Sequence, residues 1–242
     1  EIRQALPGAR EITLRALELF KTVLNEFPAE IEAFGAGSTL WAGLVDPAAG
    51  NLQLYDGVMR FRDANGALVR DVAPADYATY IGEAALPDSY MKAPYYKPLG
   101  IPDGVYRVGP LARLNVAERC GTPAADAELA EFRQRFGRLP VSSFLYHYAR
   151  LIEALYALER MKALLDTPGI LDSHVRAKAG VNAPEGVGMI EAPRGTLIHH
   201  YKVDENGAMK WANLIVATGH NNFAMGRGVE QVAKRFIKGT QL

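Results

Sequence analysis

Cysteine is almost absent from this chain. Among 242 residues there is one, Cys120, so neither an internal disulfide nor a metal site built from cysteine alone can form within it. A lone thiol suits a reducing compartment, and a cytoplasmic location is expected. Charge of one sign is lacking too. The 27 basic side chains face 27 acidic ones, which leaves no excess to drive counterion release from nucleic acid or an anionic membrane. No uncharged apolar run nears the roughly 18 residues a membrane span needs. The first residues, EIRQALPGAREITL, lack a methionine and a signal-like hydrophobic region. The chain therefore reads as an interior piece of a longer polypeptide, with no nucleic-acid partner and no membrane insertion expected. A Gly-rich dinucleotide fingerprint is missing as well, so a nucleotide cofactor would have to bind elsewhere.

What is present is an ordinary globular composition, 49% hydrophobic and 22% charged. Ile12, Ala16, Leu19, Val23 and Phe27 recur at helical spacing until Pro28, and a weaker helical stretch runs from Ala29 towards Gly35. Asn65-Gly66, between two β-prone runs, predicts a two-residue hairpin. The proline- and tyrosine-rich segment from Pro87 to Pro110 reads as ordered coil, Asn115 to Pro123 as turn, and AADAELAEFRQRF as helix. The strongest helix spans about Ser142 to Asp166, with Phe144, Tyr148, Leu151, Leu155, Leu158, Met161 and Leu165 on one stripe and Ser142 or Ser143 as cap. Asp172 to Ala179 should continue helically, and Gln231 to Ile237 should form a last helix before Gly239.

The segment EAPRGTLIHHYKVDENG carries the most chemistry. Thr196–Val203 and Met209–Val216 are β-prone around a turn at Asn206-Gly207. That turn would set Arg194 opposite Gly219 and Gly195 opposite Thr218, aiming one guanidinium and one hydroxyl at a common point. Each also has a plainer reading, Arg194 as a surface ion pair and Thr218 as a strand-end residue. His199 and His200 occupy successive strand positions and face opposite sides. A zinc site shared with His220, and the metal hydrolase it would imply, therefore fail on geometry. His147 and Cys120 read as packing residues.

EAPRGTLIHHYKVDENG followed by NLIVATGHNNFAMG resembles the large subunit of nickel–iron hydrogenases, in particular the soluble NAD-reducing, bidirectional group. GVYRVGPLARLN, SSFLYHYARLIEALYALER and HVRAKAGVN are similar to that group in the same order. The resemblance implies a mainly α fold, a long-helix bundle with small inserted β hairpins. It would be a single domain over residues 1–242, central to C-terminal in the subunit, with a small β insertion at about 52–72. It implies reversible heterolytic cleavage of H2 at a nickel–iron centre bearing cyanide and carbon monoxide. Electrons would pass to an iron–sulfur small subunit, then on to NAD through flavin-containing diaphorase subunits, so iron–sulfur clusters, FMN and NAD belong to the partners. Arg194 corresponds to the catalytic arginine over the open coordination position. Pro193, Thr218 and Ala217 correspond to the surround of the cyanide and iron side, with Thr218 as the cyanide donor. The carbonyl of Leu214 corresponds to a magnesium ligand.

Two departures stand out. Relatives carry Pro-Ser/Thr-Thr-Trp-Asn where this chain has Ala217-Thr218-Gly219-His220-Asn221. Neither Cys-x-x-Cys pair of the family is present, so the metal ligands lie outside this sequence and the chain alone is expected to be inactive. A second reading follows from that gap: a non-catalytic assembly subunit that keeps the fold and has lost its metal.

Overall fold

The computed structural model describes residues 1–87, 89–175, 183–237 and 239. Local sequence dictates the helices well. α1 (Ile2–Glu26) stops before Pro28, which takes the first position of α2 (Pro28–Ala33), where a missing N–H is not needed. α3 (Tyr77–Tyr80) and α4 (Pro110–Val116) are short. α5 (Pro123–Phe136) and α6 (Tyr146–Leu164) are long, and the hydroxyl of Ser142 caps the turn that leads into α6 by accepting from Phe144 N. α7 (Asn222–Phe236) begins well before the predicted start at Gln231.

The expectation of a mainly α bundle is overturned. Helix makes up 44% and strand 26%, and three β-sheets are present; the fold is α/β. β1 (Leu40–Val45), β2 (Val58–Arg62), β3 (Leu68–Val72) and β6 (Tyr106–Arg107) form one sheet in the order β3-β2-β1-β6. β4 (Ile81–Leu86) pairs with β5 (Ser89–Tyr96), and β7 (Glu185–Ala192), β8 (Gly195–Val203) and β9 (Met209–Ile215) form an antiparallel meander.

The physical reason lies in β1. Its residues are buried along the whole strand, and alternate side chains enter different cores. Trp41 and Val45 pack with Leu17, Leu24, Phe132, Tyr148 and Ile152 of the helices, whereas Leu40, Ala42 and Leu44 pack with Phe61, Tyr106, Ile198 and Ile215 of the sheets. A strand buried on both faces shows no polar alternation. It serves as the wall between a helical layer and a β layer.

Other expectations are corrected in the same way. The segment read as coil contains β5, whose Pro94 and tyrosines suit a two-stranded ribbon, and Asn115 ends a helix rather than opening a turn. The first hairpin turns over Ala64-Asn65 with Gly66 after it, and Asp63 N–H donates to the carbonyl of Ala67, so the loop is one residue longer than predicted. The buried faces of the long helices are displaced from the predicted stripes. α1 buries Leu17 and Leu24 while Ile12 and Leu19 are each 69% exposed, and α6 buries Tyr148, Ala149, Ile152, Leu155 and Tyr156. Asp172 to Val175 are not helical; the remainder of that predicted helix, and the end of HVRAKAGVN, lie outside the described residues. Among the described residues, no helix is long and apolar enough to cross a membrane.

Candidate active site

β7 and β8 form a hairpin so tight that Ala192 pairs directly with Gly195, leaving Pro193 and Arg194 alone at its tip. Proline fixes φ at the first turn position. Gly195 follows at φ +141°, and a Cβ there would lie 2.2 Å from Cγ2 of Val108. The tip is thereby pressed against the chain leaving β6. Gly109, at φ +101°, also approaches closely, since its Cβ would sit 2.9 Å from the carbonyl oxygen of Arg194. Only glycine at both positions lets the two backbones meet.

The return of the second hairpin reaches the same place. Ile198 pairs with Ile215, His199 with Leu214 and Lys202 with Trp211, the expected register. The loop nevertheless closes over three residues, with Asp204 N–H donating to Ala208 O, and a bulge between Lys202 and Val203 restores the pairing. Pairing ends at Ile215, so the expected pairs of Arg194 with Gly219 and of Gly195 with Thr218 do not form as strand partners. The chain instead turns through Val216–Thr218 into a single helical turn at Gly219–Asn221 that leads to α7. That turn is fastened to the same segment after β6. The Asn221 amide accepts from Val108 N at 2.9 Å and donates to Val108 O at 3.3 Å, and Tyr106 Oη lies 2.5 Å from His220 Nδ1.

Arg194 and Thr218 both line one cavity of about 640 Å³, closed on one side by the apolar face of α7. Pro193 and Arg194 are exposed, Thr218 is half-buried and Ala217 is buried. Leu214 sits on β9, 47% exposed. Arg107, Ser143, Tyr146, His147, Arg150 and Asn221 add to the polar part of the wall, and among the described residues no carboxylate side chain lines it. Arg107 stacks on Trp41 at 4.2 Å and donates to Thr39 Oγ1 at 3.0 Å, to Val141 O at 2.8 Å and to Gly37 O, all neutral acceptors. Burial lowers its pKa. The Tyr146 hydroxyl donates to Val108 O at 3.1 Å, and burial pushes its phenol up to about 12 against the pull of nearby guanidiniums. A wall with three guanidiniums and no carboxylate suits an anionic occupant. Sequence reasoning missed Arg107, Tyr146 and Asn221, whose roles depend on contacts across the fold; the polar run Gly219-His220-Asn221-Asn222 at a strand end was the one local signal.

The histidines separate. His200 is buried, with Nδ1 2.9 Å from Tyr77 Oη and Nε2 2.7 Å from Glu185 Oε1. His199 instead faces Tyr201 Oη at 2.8 Å, and His220 lies against Tyr106. Among the described residues, no group of three or more His, Cys, Asp or Glu could hold a metal. Cys120 is buried in the helical core, where desolvation raises its pKa, and it does not line the cavity. The described residues therefore fit the surround of an anionic metal group and supply none of its thiolate ligands.

The model of the nickel-dependent hydrogenase family matches residues 70–225. The chain is 40% identical over 228 residues to a component of the F420-non-reducing hydrogenase vhu of Methanocaldococcus jannaschii, covering 94% of this chain and 54% of that protein. It is 39% identical over 226 residues to the NAD-reducing hydrogenase HoxS subunit beta of Cupriavidus necator, covering 92% of this chain and 46% of the relative. A crystal structure of NAD+-reducing [NiFe]-hydrogenase in the H2-reduced state superposes with a TM-score of 0.92 at 41% identity, over 99% of this chain and 53% of that one. The chain thus spans about half the length of the curated relatives it matches. A family model matched over most of the chain and a fold shared across nearly all of it lead to one conclusion: the chain belongs to the nickel-dependent hydrogenase family.

Proposed function

We propose that this chain is the central to C-terminal part of the large subunit of an NAD-reducing nickel–iron hydrogenase. Arg194 would be its catalytic residue. The observation that carries the proposal is the convergence of Arg194 and Thr218, delivered by two different turns, on one carboxylate-free cavity. When bound, the nickel–iron group with its cyanide and carbon monoxide supplies the heterolytic cleavage of H2. Its cysteine ligands come from segments outside this sequence. The iron–sulfur small subunit, the flavin-containing diaphorase and the reduction of NAD belong to the same proposal.

The chain's own residues hold fixed charge and fixed donors around that group. The Arg194 guanidinium makes no side-chain hydrogen bond or ion pair among the described residues, and the residue lines the cavity. Its charge would polarise the reacting molecule or a nearby acid–base group. Thr218 would donate its hydroxyl to an anionic ligand and the Leu214 carbonyl would offer one oxygen to magnesium, while Pro193 and Ala217, which do not line the cavity, would set the backbone beside Arg194 and Thr218. Donors held in place before reaction need no reorganisation during it.

Replacing Arg194 with lysine in the full-length subunit keeps a positive charge but loses the planar fork. Folding should be unaffected, and H2 oxidation should fall sharply, because a flexible ammonium does not hold its charge where the rigid fork places it. Unchanged oxidation would sink the assignment. The alternative reading is a metal-free assembly subunit that keeps the fold. Nickel and iron analysis of the full-length protein separates the two, and an H2-dependent NAD reduction assay tests the acceptor.

A further inference from the structure

The unbonded state of the Arg194 guanidinium raises a mechanical question. With no side-chain partner among the described residues, its aim depends on the backbone of the hairpin tip. One rung below that tip, Glu191 pairs with Thr196 across β7 and β8. The Glu191 side chain is fully buried and accepts three hydrogen bonds from three elements. Thr196 Oγ1 donates at 2.9 Å, Leu44 N of β1 at 2.9 Å, and Arg113 Nη1 of α4 at 2.6 Å. Arg113 is 2% exposed and also donates to the carbonyl of Ala192 at 2.9 Å, the peptide oxygen immediately before the Pro193-Arg194 turn. Its other edge is held by Glu153 of α6, at 2.5 Å and 2.6 Å.

We propose that Glu191 is a positioning residue for Arg194, acting with Arg113 as a clamp that fixes the turn relative to β1, α4 and α6. This deepens the proposed function and rests on it. The bidentate pairing of Arg113 with Glu153 is geometrically rigid, and it anchors the guanidinium that grips Glu191 in a fully buried part of the protein. The clamp holds both strands and the peptide before the turn, and the Gly109 and Gly195 contacts set the tip's distance from the cavity wall. A buried ion network adds little stability over apolar residues of the same shape, so stability alone does not account for a carboxylate at this place.

Glu191→Gln tests the clamp. All three donors must be accepted, and whichever way the amide is turned its NH2 faces either Arg113 or Leu44 N. In the full-length enzyme, Glu191→Gln should lower kcat by roughly tenfold or more with KM for H2 unchanged, since small misplacements of a catalytic group are costly. Added to Arg194→Lys, it should cost less than about twofold, because the residue it positions is already gone. Amide exchange of the Glu191–Thr196 peptide should quicken while that of β1 holds. Thr196→Val, which removes one donor at similar volume, should move both readouts the same way by less and covers the case where Glu191→Gln fails to fold. An equal loss in the wild-type and Arg194→Lys backgrounds, or unchanged exchange at the turn, overturns the clamp. If Arg194→Lys alone leaves turnover intact, the reading of Arg194 falls instead, and the exchange result decides the clamp by itself.

Discussion

His220 should make the protein acid-labile, and the size of the effect follows from its surroundings. The ring is fully buried, Nδ1 lies against Tyr106 Oη, and Nε2 has no hydrogen-bond partner among the described residues. Burial drops its pKa from 6.5 to about 3, and the Ile215 carbonyl, too poorly placed to accept a proper hydrogen bond from Nε2, opposes the fall only in part. The unfolded chain therefore takes up a proton near pH 6.5 that the native state refuses until near pH 3. Below pH 6.5 the unfolded state binds more protons, so stability rises with pH and is lost on acidification at roughly 1.4 kcal/mol per pH unit. Between pH 7 and pH 5 that amounts to about 2 kcal/mol, and by pH 4 to about 3 kcal/mol. The control is the double variant Tyr106→Phe with His220→Phe, which removes the titrating ring without leaving a buried hydroxyl unpaired. Urea unfolding of both proteins at pH 7 and pH 5 reads the difference, and the wild type should lose about 2 kcal/mol more than the variant. Parallel losses would refute the reasoning and place the acid sensitivity in the carboxylates.

Two further outcomes are expected from packing. Gly195→Ala forces a side chain into a backbone conformation at φ +141° and onto Val108, and should cost about 2–5 kcal/mol in chemical unfolding while lowering H2 oxidation in the full-length enzyme. Wild-type stability for that variant would mean that the hairpin tip is not pressed against the chain after β6. Ile152→Ala, at a fully buried site in the helical core, should cost about 2–5 kcal/mol with the hydrogenase KM unchanged, and a loss under 1 kcal/mol would show that α6 packs elsewhere.

By itself the sequence determined whatever depends on neighbours within a few turns. The long helices α1, α5 and α6 are written in periodic apolar residues and capped or stopped by Ser142 and Pro28. Both Asn-Gly hairpins are legible, although each closes over three residues and the second regains its expected register through a bulge. The motif around Arg194 also pointed to its family without any structure. Tertiary structure decided what depends on distant partners. β1 lacks alternation because Trp41 and Leu40 serve different cores, so a mainly α reading was the natural error. The buried faces of α1 and α6 were misjudged because each helix has apolar residues on more than one side, and only packing selects among them. Arg194 and Thr218 line one cavity because Val108 and Gly109, some 85 to 110 residues earlier, give both turns a common support. Glu191 looked like one letter of a motif until Leu44, Arg113 and Glu153 were seen to close around it. Such contacts leave no period in the sequence, because a buried hydrogen bond depends on where two backbones come together rather than on what lies beside them in the chain.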